Sequence, residues 1–276
     1  LHVSKPDLHS VMKQDPSGTG SRCGGRLQAT LVVAQVALCM VLTIGAGLPL
    51  RGLYAAYTAD PGFDYSDVTV LSYDYIDDTG HDGDAAFWQR LMADIRAVPG
   101  VEAVAYTLRE PLGDDFVGVG VRLPSEGENE VRRAELNVVT PEYFSVIGLP
   151  LQLGRAFTDA DVVPNSGVAI VSESTARNLW PGVDPIGQTL LQTGPGGQAV
   201  ERRIVGVVRD AQVRTLGQVD PYYVYFPGTL NEKLLVKSRT DFAATAEAIR
   251  GVVRALDPGL PVPVYPLEAN VDRWQG

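Results

Sequence analysis

The run from Leu31 to Leu50, LVVAQVALCMVLTIGAGLPL, is 20 residues without a charge. At about 1.5 Å per residue, a helix of that length reaches roughly 30 Å, the thickness of a bilayer's hydrocarbon core. A buried helix in a globular core is usually nearer ~10–14 apolar residues. The apolar part of a signal peptide is about 7–15 residues long and leads into a small-residue cleavage site. Here Arg51-Gly52-Leu53-Tyr54 follows instead. The run therefore reads as an uncleaved transmembrane helix, with an outer stalk, over residues 27–57. Pro49 removes a backbone donor near the outer end, which predicts a bend there. Asp60-Pro61-Gly62 is a turn signal and should end the stalk.

The flanks set the orientation. Lys5, Lys13, Arg22 and Arg26 precede the run against Asp7 and Asp15, whereas the whole chain carries 23 Lys and Arg against 33 Asp and Glu, a net charge of -10. A basic flank stays in the cytoplasm, so residues 1–26 are expected inside and the acidic remainder outside. That acidity argues against nucleic acid as a partner, because phosphate binding needs clustered Lys and Arg. Two cysteines exclude a disulfide scaffold. Both of them, Cys23 and Cys39, fall before or within the run, so the outer portion has no thiol to oxidise.

Past residue 58 the pattern is that of an α+β domain. VTVLSYDY (Val68 to Tyr75) reads as a strand. A helix is predicted from Ala85 to Ala97, with Phe87, Trp88, Leu91, Ile95 and Val98 on one side and Pro99-Gly100 as its stop. Val101 to Leu108 is the next strand. The end of the chain repeats this order. Leu234 to Ser238 reads as a strand, and Asp241 caps a helix from Phe242 to Leu256 whose apolar face is Phe242, Ile249, Val252, Val253 and Leu256. Asp257-Pro258-Gly259 stops it, and Pro261 to Leu267 is an edge-like extended stretch. Residues 58–108 and 231–276 are thus expected to form one split β-α-β subdomain, with Val68 to Tyr75 beside Leu234 to Ser238. Coincidence of two helix–turn–strand units is the competing reading.

Residues 109–230 form the insertion and read mainly as strands: Gly118 to Leu123, Arg133 to Thr140, Gly167 to Val171, Gln188 to Gln192, Arg202 to Arg209 and Tyr222 to Phe226. Short helices are expected at Pro141 to Ile147 and Ser172 to Trp180, and hairpin loops at 124–127 and 194–197.

Motifs for chemistry are missing. There is no phosphate loop, no G-x-S-x-G elbow and no H-E-x-x-H. Gly194-Pro195-Gly196-Gly197 lacks the Lys and Ser or Thr that would complete a phosphate site. His81-Asp82-Gly83-Asp84 matches no metal spacing and reads as a solvated loop. Asp114 and Asp115 read as surface carboxylates. No catalytic, cofactor-binding or metal-binding residue is assigned, no cofactor is expected, and the chain is not read as an enzyme.

The strings FWQRLMADIRAVPGVEAVAYTLREPLG, VVTPEYFSVIGLPLQLGRAFTDAD, VAIVSESTARNLWPGVDPIGQTL and RIVGVVRDAQVRTLGQVDPYYVYFP, in this order after RLQATLVVAQVALCMVLTIGAGLPLRGLYAAYTADPGFDY, resemble the second half of duplicated bacterial permeases of the FtsX and MacB-like type. The resemblance runs from about Leu27 to near the end. It implies a fragment of an ABC-transporter-like permease, in which a helix in the bacterial inner membrane carries a periplasmic core domain. It further implies a split, ferredoxin-like "porter" subdomain, a mostly β "sabre" insertion, and a mechanical or partner-binding role in envelope transport. Its implied partners are a separate ATPase subunit, a periplasmic adaptor or envelope substrate, and further permease helices beyond this chain. The alternative from another class is a single-span sensor with a ligand-binding periplasmic domain. An anchored envelope enzyme would need a clustered polar site in a cleft, and the sequence names none.

Overall fold

The computed structural model describes residues 29–45, 60–72, 85–113, 116–164, 166–194, 198–229, 233–260 and 262–275. The chain divides into two units, Leu1–Tyr54 and Ala55–Gly276. In the first, residues 29–45 form α1, and every residue of it is exposed. No helix among the described residues is long and apolar enough to cross a membrane. Pro49 and the stalk lie outside the described residues, as do the flank 1–26 and the loop 73–84. The turn at Asp60 is present: the Gly62 N–H donates to Asp60 Oδ1 at 2.8 Å.

In the second unit, β-branched and aromatic runs give the strands and the 3.6-residue stripes give the helices. The elements are β1 (Val68–Ser72), α2 (Ala85–Arg96), β2 (Val101–Thr107), β3 (Gly118–Arg122), β4 (Arg132–Val139) and α3 (Tyr143–Val146). There follow β5 (Leu151–Gly154), β6 (Val168–Ser172), α4 (Glu173–Leu179), β7 (Thr189–Thr193), β8 (Ala199–Val208) and β9 (Tyr223–Pro227). The chain continues through β10 (Lys233–Ser238), α5 (Phe242–Leu256), β11 (Val264–Pro266) and α6 (Glu268–Gln275). Two of these, β5 and α6, have no counterpart in the sequence reading.

The two ends of the unit share one sheet. β1 pairs antiparallel with β10, Val70 opposite Leu235, although the sequence separates them by the whole insertion. β11 lies antiparallel on the other side of β1, and β2 on the other side of β10, giving the order β11–β1–β10–β2. Successive side chains of a strand face opposite sides. Leu234 and Val236 accordingly pack with α2 (Trp88, Leu91, Ile95) and α5 (Ala246, Ile249, Val253). Leu235 faces a second cluster with Val70, Tyr143, Phe144, Ile147 and Tyr225. Phe242, the first residue of α5, departs from the expected stripe and is 37% exposed.

α5 starts where predicted. The Asp241 carboxylate accepts from the Ala244 N–H at 3.0 Å and satisfies one of the orphan donors of the first turn. Asp241→Ala is expected to lower stability by about 1 kcal/mol, read as a small fall in the denaturation midpoint at unchanged slope. A slope change instead would mean that α5 docking, not capping, was lost. Gly100, after α2, has φ +91, and a Cβ there would lie 2.8 Å from Thr240 Cγ2. The expected Pro-Gly stop is thus also a close approach between the two β-α-β units.

The insertion joins that sheet through β2 and β4, Thr107 opposite Val139. From β4 the order runs β3–β7–β8–β6–β9, and β9 returns to β4 in parallel, with Leu136 opposite Val224. The path therefore closes into a ring, which removes most free edges. Val121, Ala134, Ala169, Leu190, Ile204 and Val224 belong to the core cluster of this part, with Leu179 and Trp180 at and after the end of α4.

Candidate functional site

Two places in the second unit carry more than a β core needs. The first is a buried joint. Lys233 opens β10, an interior strand with Ser72 of β1 on one side and Thr107 of β2 on the other. Its side chain is 4% exposed, and its Nζ lies 2.8 Å from Glu110 Oε2, whose side chain is 5% exposed. Two opposite charges in a dry site must be paired closely to offset their desolvation. The Tyr265 hydroxyl, from β11, donates to Glu110 Oε1 at 3.0 Å.

The residues after Glu110 hold α6. Asn270 Nδ2 donates to the Pro111 carbonyl at 3.1 Å, and Trp274 Nε1 to the Leu112 carbonyl at 3.2 Å. Leu112 is fully buried at φ +57, where a side chain other than glycine is uncommon, and its N–H donates to the Val213 carbonyl at 2.7 Å. β10, β11, α6 and the Val213 loop therefore all converge on residues 110–112. The arrangement is a buried cross-link of one ion pair and several hydrogen bonds. It works as a joint: α6 cannot shift without disturbing the segment that carries Glu110.

The second place is the edge at β5. This strand pairs with β8 alone, Leu151 opposite Val208 and Leu153 opposite Val207. Leu151 is 38% and Leu153 50% exposed. Beside them Ala176, Arg177, Trp180, Val183 and Pro185 line a groove of about 660 Å³. Both of its walls are fixed. Asp210 accepts from the Ser174 N–H at 2.7 Å, from the Ser174 hydroxyl at 2.6 Å and from Arg177 Nη2 at 2.8 Å, which pins α4. Past β5, the Arg155 guanidinium grips Asp161 at 2.6 and 3.0 Å. That fork holds the Asp161 carboxyl well below the usual carboxylate range, and Thr158 donates to the same group from its backbone and hydroxyl.

No set of three or more His, Cys, Asp or Glu able to hold a metal occurs among the described residues. His81 to Asp84 and Asp114 with Asp115 lie outside those residues. The Gly194 N–H donates to the Gln198 carbonyl at 3.1 Å, as in a closed hairpin. Cys39 is exposed on α1. The joint and the β5 edge escaped the sequence reading. A lone Lys at the start of an apolar strand was the available signal for the joint; Leu151 and Leu153, being exposed, leave no burial pattern to read.

Comparison with known proteins gives consistent results. The family described as MacB-like periplasmic core domain matches residues 30–255. The macrolide export ATP-binding/permease protein MacB of Mannheimia succiniciproducens is 27% identical over 108 residues, 38% of this chain and 16% of its own length. The uncharacterized ABC transporter permease YknZ of Bacillus subtilis is 26% identical over 134 residues, 49% of this chain and 30% of its own length. The chain thus spans less than a third of either relative. The crystal structure of the periplasmic region of MacB from Actinobacillus actinomycetemcomitans superposes with a TM-score of 0.52 at 16% identity, covering 76% of this chain and 93% of that one. The mixed α/β fold is accordingly similar to that region.

Proposed function

Because this chain belongs to the family of MacB-like periplasmic core domains, we propose that it is the extracytoplasmic core of an ABC-transporter permease together with the membrane helix that precedes it. Its role in this reading is mechanical and partner-binding, and it performs no covalent chemistry. The observation that carries the reading is the position of the unit's two ends. β1 and β11 are antiparallel neighbours, Thr69 opposite Pro266 and Leu71 opposite Val264. The chain therefore arrives at and leaves the sheet at the same end, as a domain inserted between two membrane segments must.

The finer assignments belong to the same proposal. The sheet β11–β1–β10–β2, antiparallel throughout with α2 and α5 on one face, supports a ferredoxin-like porter subdomain from residues 58–108 and 231–276. The ring over 109–230 supports the sabre-like insertion. The anchor is supported by the uncharged run and by side chains such as Leu31 and Ile44, 65% and 66% exposed on α1. Motion of the membrane helices would reach the sheet through β1 and, by way of α6, through the Glu110 joint. A separate ATPase subunit would supply the energy, and an adaptor would add to the β5 edge, since a strand with one unpaired side and exposed leucines is a ready template for another chain.

The placement is tested at Ser125, exposed in the hairpin between β3 and β4. With Cys23 and Cys39 replaced by serine, Ser125→Cys is expected to react with a membrane-impermeant maleimide in intact bacterial spheroplasts. Reaction only after lysis would place the domain in the cytoplasm and overturn the reading.

A further inference from the structure

Arg202 occupies a position made for an apolar side chain. Along β8 the alternation turns it inward, and it is 9% exposed. Its guanidinium lies 4.8 Å over the Phe226 ring, a favourable place for a cation. Nε donates to Gln192 Oε1 at 2.8 Å and Nη1 to the Ser166 carbonyl. Both of those acceptors are neutral. Among the described residues no carboxylate forms an ion pair with Arg202, and Nη2 makes no hydrogen bond. Burial alone, with no compensating anion, pushes its pKa below the usual arginine value. A guanidinium offers five N–H donors, so most of the fork is left for something else.

The space beside it is a groove of about 580 Å³, within the roughly 300–1,000 Å³ typical of small-molecule sites. Its walls are largely apolar, with Ser166, Gln192 and Thr229 as the polar groups beside Arg202. Leu136 and Val138 of β4 are half-buried, Phe226 closes the floor, and Val162 and Val163 form the outer lip, with Val163 52% exposed. Buried cations are normally paired. A planar guanidinium also matches a carboxylate better than any other common anion except phosphate. One cation in an apolar groove calls for one negative head on an apolar body.

We propose that this groove binds an amphiphile with a single carboxylate, its head on the Arg202 guanidinium and its body along Leu136, Val138 and Val163. The site lies on the insertion and stands independently of the transport reading. Its effect would be to tie β8 and the β6 approach at Ser166 to β4 and β9 across the groove, so that ligand occupancy stiffens this part of the domain.

The test uses the full chain in phosphatidylcholine nanodiscs and a diazirine-bearing decanoate, with labelled peptides mapped by mass spectrometry. Labelling is expected in segments 160–164 and 223–229. Unlabelled decanoate should compete about tenfold or more better than decanol, the size of one charge-assisted hydrogen bond. Labelling confined to other segments, or equal competition by decanol, overturns the proposal. Arg202→Met should reduce labelling by about the same factor, and Arg202→Lys should restore little of it, because an ammonium lacks the planar fork and the stack on Phe226. If Arg202→Met is folded and labels as the parent does, the proposal also fails. If it does not fold, the decanoate and decanol competition on the parent chain decides.

Discussion

Lys233→Met is expected to lower the melting temperature of the outer domain by roughly 6–20 °C. Removing one partner of a buried ion pair costs about 3–5 kcal/mol, because the remaining charge stays in a dry site. Each kcal/mol corresponds to roughly 2–4 °C in a domain of this size. Glu110, 5% exposed at its side chain, would keep the Tyr265 hydrogen bond and lose the cation 2.8 Å away. Methionine fills nearly the same volume as the lysine stem, so the loss is one of charge rather than packing. The double variant Lys233→Met, Glu110→Gln should recover a large part of the deficit, since no ion is then left buried. Double-mutant coupling between contacting residues is about 0.5–3 kcal/mol. A single variant that melts within ~2 °C of the parent, or a double that is merely additive, would mean that water reaches Glu110 and the joint is not dry.

The same pair shows where sequence reading stops. The split sheet was legible because its information is local. VTVLSYDY and the apolar stripe with Trp88, Leu91 and Ile95 each specify an element, and the repetition of helix, Pro-Gly stop and strand at both ends suggested a shared sheet. Closure of a long loop adds only a logarithmic penalty, so the insertion does not oppose it. The Glu110–Lys233 pair carries no such local mark. Its members belong to different halves of the chain, and only the antiparallel placement of β10 beside β2 brings them together. Arg202 is similar. In sequence it is one of two consecutive arginines in an otherwise ordinary strand; its inward turn is fixed by β8's register with β7, in which it faces Leu190. α6 was missed because EANVDRWQ buries little beyond Val271 and Asn270, too few apolar positions for a stripe.

Gly154→Ala is expected to release β5 from β8 while leaving the rest of the domain folded. Gly154 has φ +74, a conformation that costs an alanine about 1–3 kcal/mol. The added Cβ would also lie 2.7 Å from Ile186 Cδ1 and far inside the contact distance of the Val205 carbonyl oxygen. A flexible isoleucine tip can yield, but a strand carbonyl cannot. The carbonyl in question accepts the Arg155 N–H at 2.9 Å, the next rung holding this edge to β8. Relief of the clash therefore breaks the pairing it would need to preserve. β5 is short, exposed and held on one side only, so its local opening free energy is far below that of the ring. The expected result is amide exchange at Leu153 and Arg155 faster by about a hundredfold or more, the factor for a loss of ~3 kcal/mol, with exchange in β4 and β9 unchanged. Binding of any partner at the β5 edge should weaken in parallel. If exchange at those two amides stays at the parent rate, β5 accommodates the methyl group and is not the rigid edge inferred from its geometry. A collapse of protection across β4 and β9 as well would make β5 part of the ring's cooperative core rather than a separable edge.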